Sequence, residues 1–333
     1  MINIAVIGAG RMGQIYCHNV SKNEHCKLVY VVSRTLESAS KLAHKYQANA
    51  CTEISVAINN EAIDAIIIAS PTPTHLDIVT MAAKAGKAVF CEKPIDLEIQ
   101  RVDQCLQTLA QYPIPFMLGF NRRFDPQISK LRQAVLAGDV GHLHMLLLTS
   151  RDPCPPPVNY LQSSGGYFID STVHDIDLMC WISQELPLEV MATGSCLVDP
   201  KIGELGDIDT SMTMMMMPSG AICHVNNSRR SVYGFDQRIE AFGSKGMLQT
   251  QNQHEHSLLS YSDTHTNMAS PLEYFFLERY EQSYRIIIDE FIDAVQNKNS
   301  IECNQFDGRN ALAIALACNR SVKERKAIAP VYS

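Results

Sequence analysis

The stretch that decides the fold is "INIAVIGAGRMG", residues 2–13. Its apolar start, Ile2 to Ile7, predicts a buried strand, residues 8–13 match G-x-G-x-x-G, and a helix-like stretch runs on to about Val20. Glycines between a strand and a helix let the backbone approach a pyrophosphate, and the helix N-terminus supplies unpaired N–H groups. We therefore predict a dinucleotide site at this turn. Its predicted contacts are Gly8, Gly10, Arg11, Met12 and Gly13.

Strands and helices alternate over the next hundred residues. Further strands are predicted at 28–32, 64–69, 88–91 and 116–119, with helices between them. Thr74 is predicted to cap the helix over 76–85, and Gly86 to follow its C-cap. This rhythm predicts a parallel sheet with helical crossovers, that is, a Rossmann NAD(P)-binding domain over residues 1–120. Ligands of such sheets bind beyond the carboxyl ends of the strands. Further cofactor contacts are therefore predicted at Ser70, Thr72, His75, Glu92 and Lys93.

The end of the second strand bears on which cofactor is bound. NAD-selective sites carry an acidic residue about 20 residues beyond the glycines, whereas this chain has Ser33 and Arg34. A guanidinium can hold the 2′-phosphate of NADP, but Arg34 can equally be a solvated loop residue. Both residues are predicted near the adenosine ribose, with NADP allowed and NAD not excluded.

The segment "FCEKPI", residues 90–95, places Lys93 directly after a buried strand. A lysine is costly to bury unless it is paired, and proline cannot extend a central strand. The lysine either marks a solvated loop or points into the cleft beyond the sheet, and this fragment alone leaves both open.

Residues 121–333 predict a second α/β domain for substrate binding and oligomerisation. Strand-like segments at 142–150, 187–198, 207–217, 221–230 and 236–250 indicate a large, open, mostly antiparallel sheet. Pro218-Ser219-Gly220 predicts a hairpin, and the preceding methionine run is interpreted as strand core. One face of this sheet needs a cover, which predicts a homo-oligomer, either a dimer or a tetramer.

A second chemical cluster lies in "GGYFIDSTVHDIDLMCW", residues 165–181. On a helix that begins near Tyr167, the side chains of Asp170, His174 and Asp177 share one stripe. A solvated surface helix and a zinc site are the other two interpretations. No third ligand is marked by spacing, so no metal is predicted.

Composition limits the class of protein. The chain has 333 residues, 46% of them hydrophobic and 19% charged, and a formal net charge of -7. No basic block suggests nucleic acid, and no apolar run is long enough to predict a membrane span. The eleven cysteines include no C-x-x-C pair, which is typical of reduced thiols and predicts a cytoplasmic protein.

These motifs together resemble the glucose-fructose oxidoreductase, inositol dehydrogenase and rhizopine-catabolism family (Gfo/Idh/MocA). The resemblance covers essentially the whole chain and is carried by the glycine turn and four later motifs. They are "EKP" at 92–94, "GFNRRFDP" at 119–126, "SGG" at 164–166, and Asp170 with His174 in the pattern Asp-x-x-x-His. Within the family, the chain most resembles the inositol 2-dehydrogenases.

The resemblance implies a role for each site residue. It implies that Lys93 contacts the reacting hydroxyl and the nicotinamide ribose, that His174 is the general base, and that Asp170 binds and orients the substrate. A neutral imidazole can accept a hydroxyl proton near neutral pH, and a cationic lysine stabilises a developing alkoxide. Further substrate contacts are expected from Arg123, Asp152 and Tyr233.

The implied activity is NAD(P)-dependent oxidation of a polyol, first of all myo-inositol to its 2-keto product, in inositol catabolism. Another cyclitol or an aldose is the alternative within the family. One further alternative is a catalytically silent NAD(P)-binding regulator, although such a sensor has no need of a base. Another is a lyase or a glycosidase-type hydrolase that uses bound NAD transiently.

Overall fold

The computed structural model describes residues 1–332, and the chain divides into two compact units. The first comprises Met1–Asn121 and Ser283–Asn310, and the second comprises Arg122–Gln282 with the residues from Ala311 onward. The sequence predicts residues 283–310 in the second domain, whereas the structure groups this stretch with the first unit.

The first unit is a parallel sheet with helical crossovers. Its elements are β1 (Ile2–Ile7), α1 (Arg11–Lys22), β2 (Cys26–Val32), α2 (Leu36–Lys45), β3 (Asn49–Cys51), α3 (Ile54–Ile58), β4 (Ala65–Ile68), α4 (His75–Lys84), β5 (Ala88–Cys91), α5 (Ile99–Gln111) and β6 (Phe116–Leu118). The strand order is β3-β2-β1-β4-β5-β6, and every neighbouring pair is parallel. The predicted Rossmann sheet is confirmed, and its order reverses between β1 and β4, where such sheets bind ligands.

Local sequence explains these elements. Strands β4 and β5 are buried along their whole length, as expected of apolar strands covered by helices on both faces. Helix α4 ends at Lys84, and Gly86, two residues later, has a φ of +68°, as predicted for the position after the cap. The N–H of Lys87 then reaches back to the carbonyl of Ala82 at 3.0 Å and satisfies the last turn.

The second unit contains a sheet of six strands. Its elements, with the two helices that the units share, are α6 (Pro126–Leu136), β7 (Leu143–Arg151), α7 (Val158–Leu161), α8 (Val173–Ser183), β8 (Glu189–Ser195), α9 (Pro200–Glu204), β9 (Thr210–Met216), β10 (Ile222–Ser228), β11 (Asp236–Gly243), β12 (Gly246–Gln249), β13 (Leu259–Ser260), β14 (Met268–Ala269), α10 (Phe276–Arg279), α11 (Glu281–Asn297) and α12 (Gln305–Glu324). The order is β12-β11-β7-β10-β9-β8, with only β7 and β10 parallel. The mostly antiparallel sheet is confirmed, although residues 236–250 form two strands rather than one.

Helix α11 explains why residues 283–310 belong to the first unit. The carbonyl of Tyr284 accepts a hydrogen bond of 2.9 Å from the Asn19 amide on α1. The rings of Tyr16 and Phe90 pack edge-on against Tyr284 and Phe291 respectively. These contacts are made by apolar and amide side chains that the sequence alone does not pair.

The methionine run differs from its prediction. Along β9 and the residue after it, Met215 and Met217 are buried, whereas Met214 and Met216 are exposed on the outer face of the sheet. Alternation along a strand forces this division, so only half of the run is core. No helix among residues 1–332 is both long and apolar enough to cross a bilayer.

Candidate active site

The glycine turn leaves room and donors for a phosphate. Gly8 has a φ of +114°, and a Cβ there would lie 2.4 Å from the Ala69 carbonyl oxygen. A Cβ on Gly13 would lie 1.9 Å from the Gly8 carbonyl oxygen, so both positions require glycine. A Cβ on Gly10 would meet nothing within 4 Å, and no side chain caps α1. Open space beside uncapped N–H groups fits the pyrophosphate of a dinucleotide.

Other predicted cofactor residues lie at the same edge of the sheet. Ser70 and Thr72 follow β4, and Lys93 follows β5, so adjacent parallel strands bring them to the carboxyl edge together with the glycine turn. Ser70 hydrogen-bonds the hydroxyl of Thr74 at 2.7 Å. The side chains of His75 and Glu92 are buried and make hydrogen bonds within this unit.

The end of β2 carries no acidic group. Ser33 donates its N–H to the Cys51 carbonyl at 3.1 Å, and the side chain of Arg34 is exposed. Thr35 caps α2 by accepting a bond from the N–H of Ser38. The exposed guanidinium therefore stands beside the N-terminus of α2.

In the second unit, the predicted helix near Tyr167 is present but begins with a wider turn. Residues Phe168–Thr172 form a π-helix, and α8 continues from Val173. Asp170 lies in the π-helix and His174 in the first turn of α8, where it is partly buried. Such single π-turns occur frequently at functional sites.

Both carboxylate oxygens of Asp170 have protein partners. The Tyr160 hydroxyl donates to Oδ1 at 2.7 Å, and the Arg229 guanidinium donates to Oδ2 at 3.1 Å. Arg229 is 1% exposed, and its guanidinium carbon lies 4.7 Å from the centre of the Tyr167 ring. The geometry fixes the orientation of Asp170.

Sequence reasoning missed both of these partners. The alternation of β10 was the available signal for Arg229, since Cys223, Val225 and Asn227 point inward and the next inward position is 229. No comparable signal marks Tyr160, which lies on the short helix α7 beside the proline-rich loop.

The structure places Arg123 inside the second unit. Its Nε and Nη2 atoms bind the two Asp177 oxygens at 2.8 and 2.5 Å, and its guanidinium lies 5.7 Å from the Trp181 ring centre. The charge of Arg123 is thus matched by a buried carboxylate. Asp177 therefore belongs to this ion pair, although the sequence placed it on one stripe with Asp170 and His174.

Tyr233 and Asp152 occupy different surroundings. Tyr233 is about half exposed, donates its hydroxyl proton to Asp236 at 2.7 Å and accepts a bond from Arg151 at 2.9 Å. Asp152 donates its N–H to the Ser228 carbonyl at 2.9 Å. Burial raises the pKa of Asp152 to about 6, while the positive charges of Arg229 and Arg122 oppose that rise.

The raised pKa of Asp152 makes stability depend on pH. Ionisation of Asp152 lowers the free energy of unfolding. This loss is absent while Asp152 is protonated, develops as the pH rises from about 4 to about 6, and reaches roughly 3 kcal/mol at neutral pH. Asp152→Asn removes the ionisation, so we expect the melting temperature of the variant minus that of the wild type to increase between pH 4 and pH 7.5. Asp263→Asn, at an exposed turn, is the control. A difference independent of pH would contradict the raised pKa.

Among residues 1–332, no group of three or more histidine, cysteine or acidic side chains is arranged to hold a metal ion.

The chain is similar to known proteins over nearly its whole length. Residues 2–120 match the model of the oxidoreductase family with an NAD-binding Rossmann fold, and residues 128–249 match the GFO/IDH/MocA C-terminal domain. The chain is 40% identical to inositol 2-dehydrogenase of Rhizobium meliloti and 39% identical to myo-inositol 2-dehydrogenase of Thermotoga maritima, covering 98% of both chains in each case.

A solved structure extends the comparison. Scyllo-inositol dehydrogenase from Lactobacillus casei, with bound NAD(H) and scyllo-inositol, matches with a TM-score of 0.92 and 26% identity over 99% of both chains. These matches and the glycine turn show that the chain belongs to the Gfo/Idh/MocA oxidoreductase family and is an NAD-dependent dehydrogenase similar to the inositol 2-dehydrogenases.

Proposed function

We propose that this enzyme oxidises myo-inositol at carbon 2 to the 2-keto product, scyllo-inosose, with NAD as hydride acceptor. The observation that carries the proposal is the 40% full-length identity to an inositol 2-dehydrogenase, in a chain that has a lysine at position 93, an aspartate at 170 and a histidine at 174. The fixed carboxylate of Asp170 supports it further, because a rigid acceptor suits a ring with many hydroxyl groups.

The proposed mechanism assigns one task to each of three residues. His174 accepts the hydroxyl proton as the carbon–hydrogen bond breaks, and Lys93 stabilises the alkoxide that develops on the same oxygen. Asp170 accepts hydrogen bonds from ring hydroxyls and fixes the orientation of the ring. NAD, when bound, supplies an acceptor for the hydride.

Substrate selection is proposed to come from Asp152, Asp170 and Tyr233. Each offers an oxygen atom to a ring hydroxyl, and a wrong epimer would leave such a group unpaired. Arg123 is proposed to act from within the fold, because its guanidinium holds Asp177 on α8.

One experiment separates this function from its alternatives. Reduction of NAD and of NADP is followed at 340 nm with myo-inositol, scyllo-inositol, D-chiro-inositol, glucose and xylose. The proposal expects the highest kcat/KM with myo-inositol. A higher value with another cyclitol or with an aldose would change the substrate, and binding of NAD without reduction by any of them would indicate a silent regulator.

The cofactor proposal is NAD with residual use of NADP. The exposed Arg34 beside α2 is the group able to hold a 2′-phosphate, and residues 33–36 include no acid to repel one. We expect Arg34→Ala to lower kcat/KM for NADP about tenfold, with less than about a twofold change for NAD. Lys41→Ala, an exposed change on α2, is the matched control. Equal losses with both cofactors would place Arg34 outside the phosphate site.

We also propose that the outer face of the second sheet binds a second copy of the chain. The strand register places one row of side chains across all six strands. This row, named here the methionine row, comprises Glu189, Met216, Ile222, Met145, Phe242 and Met247. All six are exposed, and five are apolar. Apolar contiguity of this kind is typical of an interface rather than of a free surface.

A charged substitution in the methionine row tests whether two copies of the chain associate through this face. We expect Met216→Lys to shift the molar mass from a dimer or tetramer towards the monomer in light scattering, because two copies would bury the lysine against apolar side chains. Val331→Lys, at an exposed position outside the sheet, is the control. An unchanged mass in the Met216 variant would exclude this face as the interface.

A further inference from the structure

The residues on either side of Lys93 are both held by buried side chains. On the N-terminal side, the Oε1 atom of Glu92 accepts a hydrogen bond from the hydroxyl of Tyr16 on α1. The Oε2 atom of the same carboxyl group lies 3.2 Å from the backbone N–H of Lys93. Tyr16 is fully buried and Glu92 nearly so, and water has little access to compete with these bonds.

On the C-terminal side, the side chain of His75 holds the backbone carbonyl of Pro94. Its Nδ1 lies 2.8 Å from that oxygen, and its Nε2 lies 2.8 Å from the carbonyl oxygen of Ser70. The imidazole is 1% exposed. With its N–H on Nδ1, the ring donates to the Pro94 carbonyl, and it lies between the loop after β4 and the loop after β5, both at the cofactor edge of the sheet.

Close packing restricts the movement of Glu92 and Tyr16. A Cβ on Gly119 would lie 3.3 Å from both the Cα and the Oε2 of Glu92, so the backbone directly after β6 packs closely against Glu92. Tyr16 is also held by Phe90, whose ring centre is 5.0 Å away. A movement of the Glu92 side chain would therefore displace either the backbone at Gly119 or the packed rings of Tyr16 and Phe90.

We propose that Tyr16, Glu92 and His75 are positioning residues that fix the backbone on both sides of Lys93 and thereby aim its ammonium group. The inference rests on the proposed role of Lys93 in the reaction. It gives Glu92 and His75 a different task from the direct cofactor contact that the sequence suggested, because their polar atoms bind protein groups.

Tyr16→Phe is the sharpest test, because it removes one hydroxyl group and keeps the aromatic packing. Tyr30→Phe is the matched control. Tyr30 lies on β2 of the same sheet, and its hydroxyl accepts a long hydrogen bond of 3.4 Å from the Asn60 amide. For both variants we would measure kcat, the KM for the polyol, the Kd for NAD and the melting temperature. His75→Gln, whose amide retains N–H donors, is the conservative partner of His75→Leu.

A second readout does not depend on turnover. The acetylation rate of Lys93 by acetic anhydride is measured by peptide mass spectrometry, relative to the exposed Lys84 in the same sample. We expect Tyr16→Phe to lower kcat about tenfold to a hundredfold, to leave KM and Kd within about twofold, and to change the Lys93 to Lys84 labelling ratio. His75→Leu should act likewise, with partial recovery in His75→Gln.

The outcomes separate this inference from the proposed function. An unchanged kcat and labelling ratio in Tyr16→Phe would overturn the inference. A loss of activity that is fully explained by weaker binding of NAD would also overturn it. If the wild type oxidises no polyol, the proposed function fails, and the labelling ratio alone then decides: a change supports positioning and an unchanged ratio overturns it.

Discussion

The His174→Ala variant is expected to lose about a hundredfold to ten-thousandfold in kcat for myo-inositol, because no other group is proposed to take the hydroxyl proton. Binding of NAD should stay within about twofold of the wild type, since the glycine turn belongs to the first unit and His174 to the second. Stopped-flow reduction of NAD and fluorescence titration with NAD measure the two quantities.

A control and a chemical rescue make this prediction specific to a base. His142→Ala changes an exposed histidine of the same unit and should leave kcat unaltered. Free imidazole added to His174→Ala should restore part of the turnover, in proportion to its unprotonated fraction. A wild-type kcat in His174→Ala would contradict the assignment of the base. The assignment would also fail if imidazole did not restore turnover and the variant no longer bound NAD.

The second large effect is expected for Arg229→Met. The change removes the guanidinium that binds Oδ2 of Asp170 and whose positive charge also lowers the pKa of Asp152. The two carboxylates would then lack the positive charge that offsets their own. Breaking such a buried pair costs about 3–5 kcal/mol. The free energy of unfolding of the second unit should fall by about that amount, and kcat/KM should fall about tenfold or more because Asp170 loses its orientation.

The neighbouring residue supplies the matched control. Arg230→Met removes an equal charge from an exposed side chain and should change stability by less than about 0.5 kcal/mol. In the double variant Arg229→Met with Asp170→Asn, part of the lost stability should return, because the unpaired carboxylate is absent. If urea unfolding gives equal stability for the two single variants, the Arg229–Asp170 pair is not the support proposed here.

The first unit was largely predictable from local pattern. The bounds of β1 and β5 agree with prediction because both are short apolar runs that end in glycine, proline or charged residues. Gly86 follows the end of α4 as expected because only glycine accepts the positive φ at no cost. The side chain of Thr74, in contrast, does not cap α4, because it donates to the Pro71 carbonyl instead.

The second unit was predictable in class but not in its contacts. The π-helix at Phe168–Thr172 has no sequence period of its own, so an α-helical stripe was expected instead. The partners of Asp170 come from positions 160 and 229, far apart in sequence, and only tertiary folding joins them. Arg123 was expected to face the substrate because "NRRFDP" shows two arginines without showing that Asp177 binds the second.

The proposed reaction moves hydrogen from carbon 2 of myo-inositol to the nicotinamide ring. Myo-inositol carrying deuterium only at carbon 2 is incubated with NAD and the enzyme, and the reduced cofactor is analysed by mass spectrometry. We expect NADH that carries the deuterium, with slower turnover than for unlabelled substrate. Unlabelled NADH would mean that another hydroxyl is oxidised, and no NADH at all would contradict the proposed dehydrogenase reaction.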